Sequence, residues 1–130
     1  MNKRRNYTTG AKWEDIVGYC RAVQVGNVLE VAGTTAVDDQ SHIVGKGSAY
    51  EQTKYIFQKI ERVLQQAGME MKDVVRTRMY VTNIKQWEEV GRAHGEFFKY
   101  IKPASSMIEV SGLIDPDLMV EIEITAIKTD

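Results

Sequence analysis

The sequence predicts an α+β fold: strands and helices in the order β-β-α-β-α-β-β, forming one mixed sheet with two helices packed on one face. Three observations predict it. One helix is amphipathic and marked at both ends, two stretches alternate as strands do, and a two-residue turn joins a hairpin. The chain has 130 residues, 43% hydrophobic and 27% charged. That describes a single domain, residues 1–130, able to bury a core without disulfide or metal staples.

Residues 19–25 and 28–33 read as strands joined by Gly26-Asn27, a pair that tight hairpins favour. A polar loop, Asp38-Asp39-Gln40-Ser41, leads to Gly45-Lys46-Gly47. Ser48 then opens a helix, with Glu51 at the capping-box position. Ile56, Phe57, Ile60, Val63, Leu64 and Ala67 follow at helical spacing, and Gly68 stops the helix. In residues 74–82, Val75, Thr77, Met79 and Val81 alternate with Arg76, Arg78 and Tyr80, as in a strand with two unlike faces. Asn83, with Gln86 at the box position, caps a second helix. Its apolar stripe is Trp87, Val90, His94, Phe97, Phe98 and Ile101, and Pro103 ends it. Strands at 106–110 and 120–127 flank the turn Asp115-Pro116-Asp117. Strands joined through helices need crossovers, so part of the sheet is expected to be parallel.

The sheet face away from the helices would carry Arg76, Arg78, Tyr80, Glu121 and Glu123 beside Ile127, Met107 and Val110. Such a face is too apolar for water and too charged for a core, so self-association is expected to cover it. Seventeen basic and 18 acidic groups give a net charge of −1, which offers no long-range attraction to nucleic acid or anionic membrane. Lys3, Arg4 and Arg5 read as a solvated terminus. No apolar stretch follows them and no window is long enough to span a bilayer, so a cytoplasmic location is expected.

The single cysteine, Cys20, excludes an internal disulfide and reads as a small buried side chain. His42 sits in a loop, and His94 reads as a core or interface residue. With no ligand spacing among these residues, neither metal nor cofactor is expected. Gly45-Lys46-Gly47-Ser48 lacks the full phosphate-loop pattern and reads as a turn before the helix cap. Arg78 pairs with Glu121 or Glu123, or anchors a ligand; the pattern alone leaves this open.

Several segments together resemble the Rid/YjgF family of enamine and imine deaminases, from about Gly18 to Lys128. They are Gly26-Asn27-Val28-Leu29-Glu30-Val31-Ala32-Gly33, Glu51-Gln52-Thr53, Asp73-Val74-Val75-Arg76-Thr77, Pro103-Ala104-Ser105-Ser106-Met107-Ile108-Glu109-Val110 and Val120-Glu121-Ile122-Glu123. The resemblance implies a chorismate-mutase-like fold and a homotrimer with small-molecule clefts between subunits. It implies that Glu121 positions the water that hydrolyses an imine. Tyr19, Gly33, Arg78, Ser105 and Met107 are the implied substrate-binding residues. Ser105 stands where the family's deaminases carry the arginine that grips a substrate carboxylate. Such a charge-assisted contact is worth roughly 1.5–3 kcal/mol, which serine cannot supply. Two readings follow: a hydrolase of a small enamine- or imine-like metabolite, or a trimer that binds a metabolite in the same cleft without turning it over.

Overall fold

The computed structural model describes residues 3–129. Its elements are β1 (Arg4–Tyr7), α1 (Lys12–Val17), β2 (Ala22–Val25), β3 (Val28–Thr35), α2 (Ala49–Gln66), β4 (Val74–Val81), α3 (Trp87–Phe98), β5 (Ala104–Glu109) and β6 (Val120–Ile127). Six strands form one mixed sheet in the order β1-β2-β3-β6-β4-β5, in which only β4 and β5 run parallel. This is the expected α+β architecture, with two additions at its start. Arg4–Tyr7 extends the hairpin as a third antiparallel strand, where a solvated terminus was expected. A short helix, α1, then precedes β2.

Helix α2 forms where the sequence marks it. The Ser48 hydroxyl accepts a hydrogen bond from the Glu51 N–H at 3.1 Å, and Gly68 adopts φ 74° just beyond the C-terminus. Its apolar stripe, Ile56, Phe57, Ile60 and Leu64, is fully buried against Leu29, Met79, Ile122 and Ile124 of the sheet. Phe98 of α3 meets the Phe57 ring edge-on, with 5.1 Å between centroids. Asn83 caps as expected, accepting from the Lys85 N–H at 3.1 Å, but it caps a 3₁₀ turn, Ile84–Gln86, that runs on into α3. Trp87 is 55% exposed and does not belong to the core. The buried stripe of α3 begins one turn later, at Val90.

Two β-bulges set the faces of the sheet. One lies between Val74 and Arg76 and moves the alternation of β4 by one residue at its start. Val74 therefore packs inward and Val75, expected inside, is exposed. The other lies in β3, where Val31 pairs with Ile124 but Thr34 with Ile122. Three residues of β3 thus step against two of β6. Beyond these bulges the faces are regular: Val120, Ile122, Ile124 and Ala126 are buried under the helices, while Glu121, Glu123 and Thr125 look out. Arg76, Arg78 and Tyr80 share that outer face.

Strand β5 carries a correction. Ser105 pairs with Thr77 and Met107 with Met79, so both lie on the helix-covered face of the sheet. Met107 packs against the core instead of lying on the open face, which receives Ser106 and Ile108. Val110 lies just beyond the strand.

Candidate functional site

Strand β6 presents Glu121 to the open face and the β3 bulge presents Gly33 beside it. A Cβ on Gly33 would overlap the Glu121 carboxylate, so only glycine lets that side chain lie across the β3 backbone. Burial raises the Glu121 pKa, Arg21 opposes the rise, and Glu123 adds to it. A half-buried carboxylate with a raised pKa beside a guanidinium can accept a proton from a bound water.

Arg21 is the residue that motif reading missed. It lies just before β2 and precedes the buried Ala22, so strand alternation already puts it on the open face. Only the β2–β3–β6 register brings it to Glu121. Its Nη2 donates to the Gly33 carbonyl at 2.5 Å, and its buried Nε has no hydrogen-bond partner. Close by, Lys59 of α2 donates to the carbonyls of Thr35 and Val37, both at 2.8 Å. Burial, followed by the Arg21 charge, pushes the Lys59 pKa down to about 8.

Arg78 lies opposite Glu123. These two are register partners on adjacent strands, with Nε 3.9 Å from Glu123 Oε1. The Tyr80 hydroxyl donates to the same oxygen at 2.9 Å, and this bond raises the Tyr80 pKa. Arg78 and Glu123 form one wall of a concavity of about 880 Å³ on the open face. Tyr19, Cys20, Glu14 and Glu30 line it as well. Tyr19, expected to begin the first strand of the hairpin, instead lies outside it, just after α1. The Glu14 carbonyl accepts from both the Gly18 and Tyr19 N–H groups, tying that segment to the end of the helix. Cys20 is only part-buried, with Sγ 3.3 Å from the Ala22 carbonyl.

Ser105 lies elsewhere, exposed on edge strand β5. The buried Thr77 hydroxyl donates to Ser105 Oγ at 2.8 Å and lies 2.9 Å from His94 Nε2. Burial lowers the His94 pKa, and its ring packs on Phe98 with centroids 4.7 Å apart. The structure thus places the implied site residues in separate groups within one chain. Glu121, Gly33 and Arg21 meet over the β3 bulge, Tyr19 and Arg78 border the concavity, and Ser105 and Met107 sit at the far edge of the sheet.

Among the described residues no group of three or more His, Cys, Asp or Glu side chains is placed to hold a metal ion. No helix there is long and apolar enough to cross a membrane. The family model described as endoribonuclease L-PSP matches residues 9–128. An uncharacterized protein of Streptomyces coelicolor is 35% identical over 95% of this chain and 92% of its own length. The 3-aminoacrylate deaminase RutC of Acinetobacter baylyi is 28% identical over 80% of this chain and 82% of its own. The crystal structure of a YjgF/YER057c/UK114 family member from Mycobacterium tuberculosis superposes with a TM-score of 0.87. It is 44% identical, with 97% of this chain and all of that one covered. The matched family model and these relatives agree with the segments read from the sequence: the chain belongs to the Rid/YjgF family.

Proposed function

We propose that the chain is a hydrolase of the deaminase type, acting without a cofactor on a small enamine- or imine-like metabolite in a cleft between the subunits of a cytoplasmic homotrimer. The observation that carries this reading is Glu121, half-buried over Gly33 with its pKa raised. A deaminase among the relatives supports an enamine or imine as substrate. Glu121 takes a proton from water as the water oxygen bonds to the iminium carbon, and returns it to nitrogen in the resulting carbinolamine. The C–N bond then breaks, the carbinol O–H proton is lost, and a carbonyl compound and ammonium leave. An enamine enters this sequence once its carbon is protonated.

Tyr19, Gly33 and Arg78 would line the cleft from one subunit, and Ser105 and Met107 from the next. Their separation within one chain supports a site shared between copies. A small-molecule ligand is also favoured over nucleic acid, because Glu30, Glu121 and Glu123 stand among the arginines of the open face. Ser105 favours the second reading, a trimer that binds a metabolite without turnover.

The test is hydrolysis of 2-aminoacrylate or 2-iminobutyrate generated in situ, measured with Glu121→Gln beside the natural protein. That substitution keeps shape and cannot accept a proton. Turnover should fall roughly 10²–10⁴-fold with the melting temperature nearly unchanged. A loss of stability with unchanged turnover would rule out the catalytic role.

A further inference from the structure

Thr77, His94 and Ser105 form a hydrogen-bonded chain that the chemistry at Glu121 does not use. It starts at the half-buried His94 of α3 and ends on the exposed edge strand β5. His94 Nε2 lies 2.9 Å from Thr77 Oγ1, and the Thr77 hydroxyl donates to Ser105 Oγ at 2.8 Å. Thr77 is fully buried, whereas Ser105 is exposed. A hydroxyl has one proton to give. Thr77 gives its proton to Ser105, so toward His94 it accepts, and Nε2 must carry the ring N–H. Burial lowers the His94 pKa, and among the described residues no carboxylate lies within 4.0 Å of the ring to oppose it. The ring is then neutral, with a single N–H. The chain therefore runs one way, from Nε2–H through Thr77 to Ser105. Ser105 keeps its own proton, which has no acceptor among the described residues. A hydroxyl that accepts a hydrogen bond becomes a stronger donor, so His94 and Thr77 both strengthen Ser105. This polarity makes Ser105 a donor and excludes it as a nucleophile, because no base stands behind it to take its proton.

We propose that Ser105 is a specificity-determining donor that gives its hydroxyl proton to an uncharged oxygen of the ligand, with Thr77 and His94 as its positioning residues. The inference rests on the cleft reading above and narrows its ligand to an enamine or imine that carries an amide, ester or ketone oxygen. A carboxylate taken out of water needs a counter-charge, and one neutral hydroxyl supplies too little. The arginines of β4 do not supply it at this point. Arg76 and Arg78 pair in register with Ala104 and Ser106, on the opposite face of the sheet from Ser105. Arg76 is held there, donating to Ser106 Oγ at 2.8 Å. An uncharged carbonyl oxygen costs far less to desolvate, and a single aligned donor satisfies it.

The first measurement needs no ligand. The chain holds two histidines, so in isotope-labelled His42→Gln protein the remaining imidazole NMR signals belong to His94. They should show the proton on Nε2. Affinities for 2-oxobutanamide and for its anionic counterpart, 2-oxobutyrate, are then measured by calorimetry on the natural protein, Ser105→Ala and Ser105→Thr. The natural protein should bind the amide more tightly than the anion. Ser105→Ala should weaken amide binding about 2- to 10-fold, the worth of one neutral hydrogen bond. Ser105→Thr keeps the hydroxyl and should restore it. Saturating amide should also shift the His94 Nε2 resonance when residue 105 is serine, and not when it is alanine. A histidine with a merely structural role would show no such difference. A proton on Nδ1, amide binding that is absent or indifferent to Ser105→Ala, or a preference for the anion overturns the proposal. Failure of the hydrolase reading shows separately, as Glu121→Gln turnover that does not fall.

Discussion

Gly33 acts through the side chain it lacks. Its backbone is not left-handed, so alanine brings no φ strain, only a Cβ in the space held by Glu121 Oε2. The clash falls on the end of a flexible side chain, and Gly33→Ala should fold with little change in melting temperature. The carboxylate would swing toward water and its pKa would fall back toward the ordinary glutamate value, which an NMR titration reads directly. Hydrolysis should drop on the order of 10²-fold, the usual consequence of a reacting group misplaced by about 1 Å. Ser105→Arg tests the other half of the site. It should raise any weak 2-imino-acid hydrolysis, and an unchanged rate in a folded trimer would show that the cleft differs at more than this residue. Glu121 and Gly33 were legible in the sequence because strand alternation and a recognised segment mark them. The face of Met107 was not. In Ala104-Ser105-Ser106-Met107-Ile108-Glu109, neither set of alternate residues is clearly more polar, and only pairing with β4 decides which looks inward.

Helices and strands were legible in proportion to their length and contrast. α2 has 18 residues, a cap and a stop, and it forms where they indicate. β1 and α1 have four and six residues and charged compositions, too short to be stable by propensity alone. Tertiary contacts supply what propensity lacks. Glu14 accepts from the Thr9 hydroxyl at 2.5 Å, and the Tyr7 hydroxyl donates to Gln24 Oε1 at 2.6 Å. Lys59 makes a testable point about α2. Its pKa is lowered from 10.5 to about 8 on folding, so the unfolded chain binds more protons between those values. Stability from this group is therefore present above pH 10.5 and lost as pH falls through about 8. Chemical denaturation of the natural protein and of Lys59→Met at pH 8 and pH 10 should show the natural protein gaining on the variant as pH rises. Parallel curves would place Lys59 in water.

At the scale of the molecule, the open face is the unfinished part. It joins a charged sheet surface to α1, whose Trp13, Ile16 and Val17 are 53%, 69% and 69% exposed. That combination calls for burial against another copy. Sedimentation at micromolar concentration should give about three times the 14.8 kDa of one chain. A monomer there would remove the shared cleft. The strand order was not legible, because nothing in a strand's own alternation says which neighbours it will have. That order has a consequence for how the protein comes into being. β6 lies between β3 and β4, which do not pair with each other, yet it follows both in the chain. A nascent polypeptide emerging from the ribosome must hold β1-β2-β3 and β4-β5 as two loose halves until residues 120–127 clear the exit tunnel. Folding is then a single late event that also brings Glu121 into place, and a chain released at residue 119 should be protease-sensitive throughout, with no smaller stable core left behind.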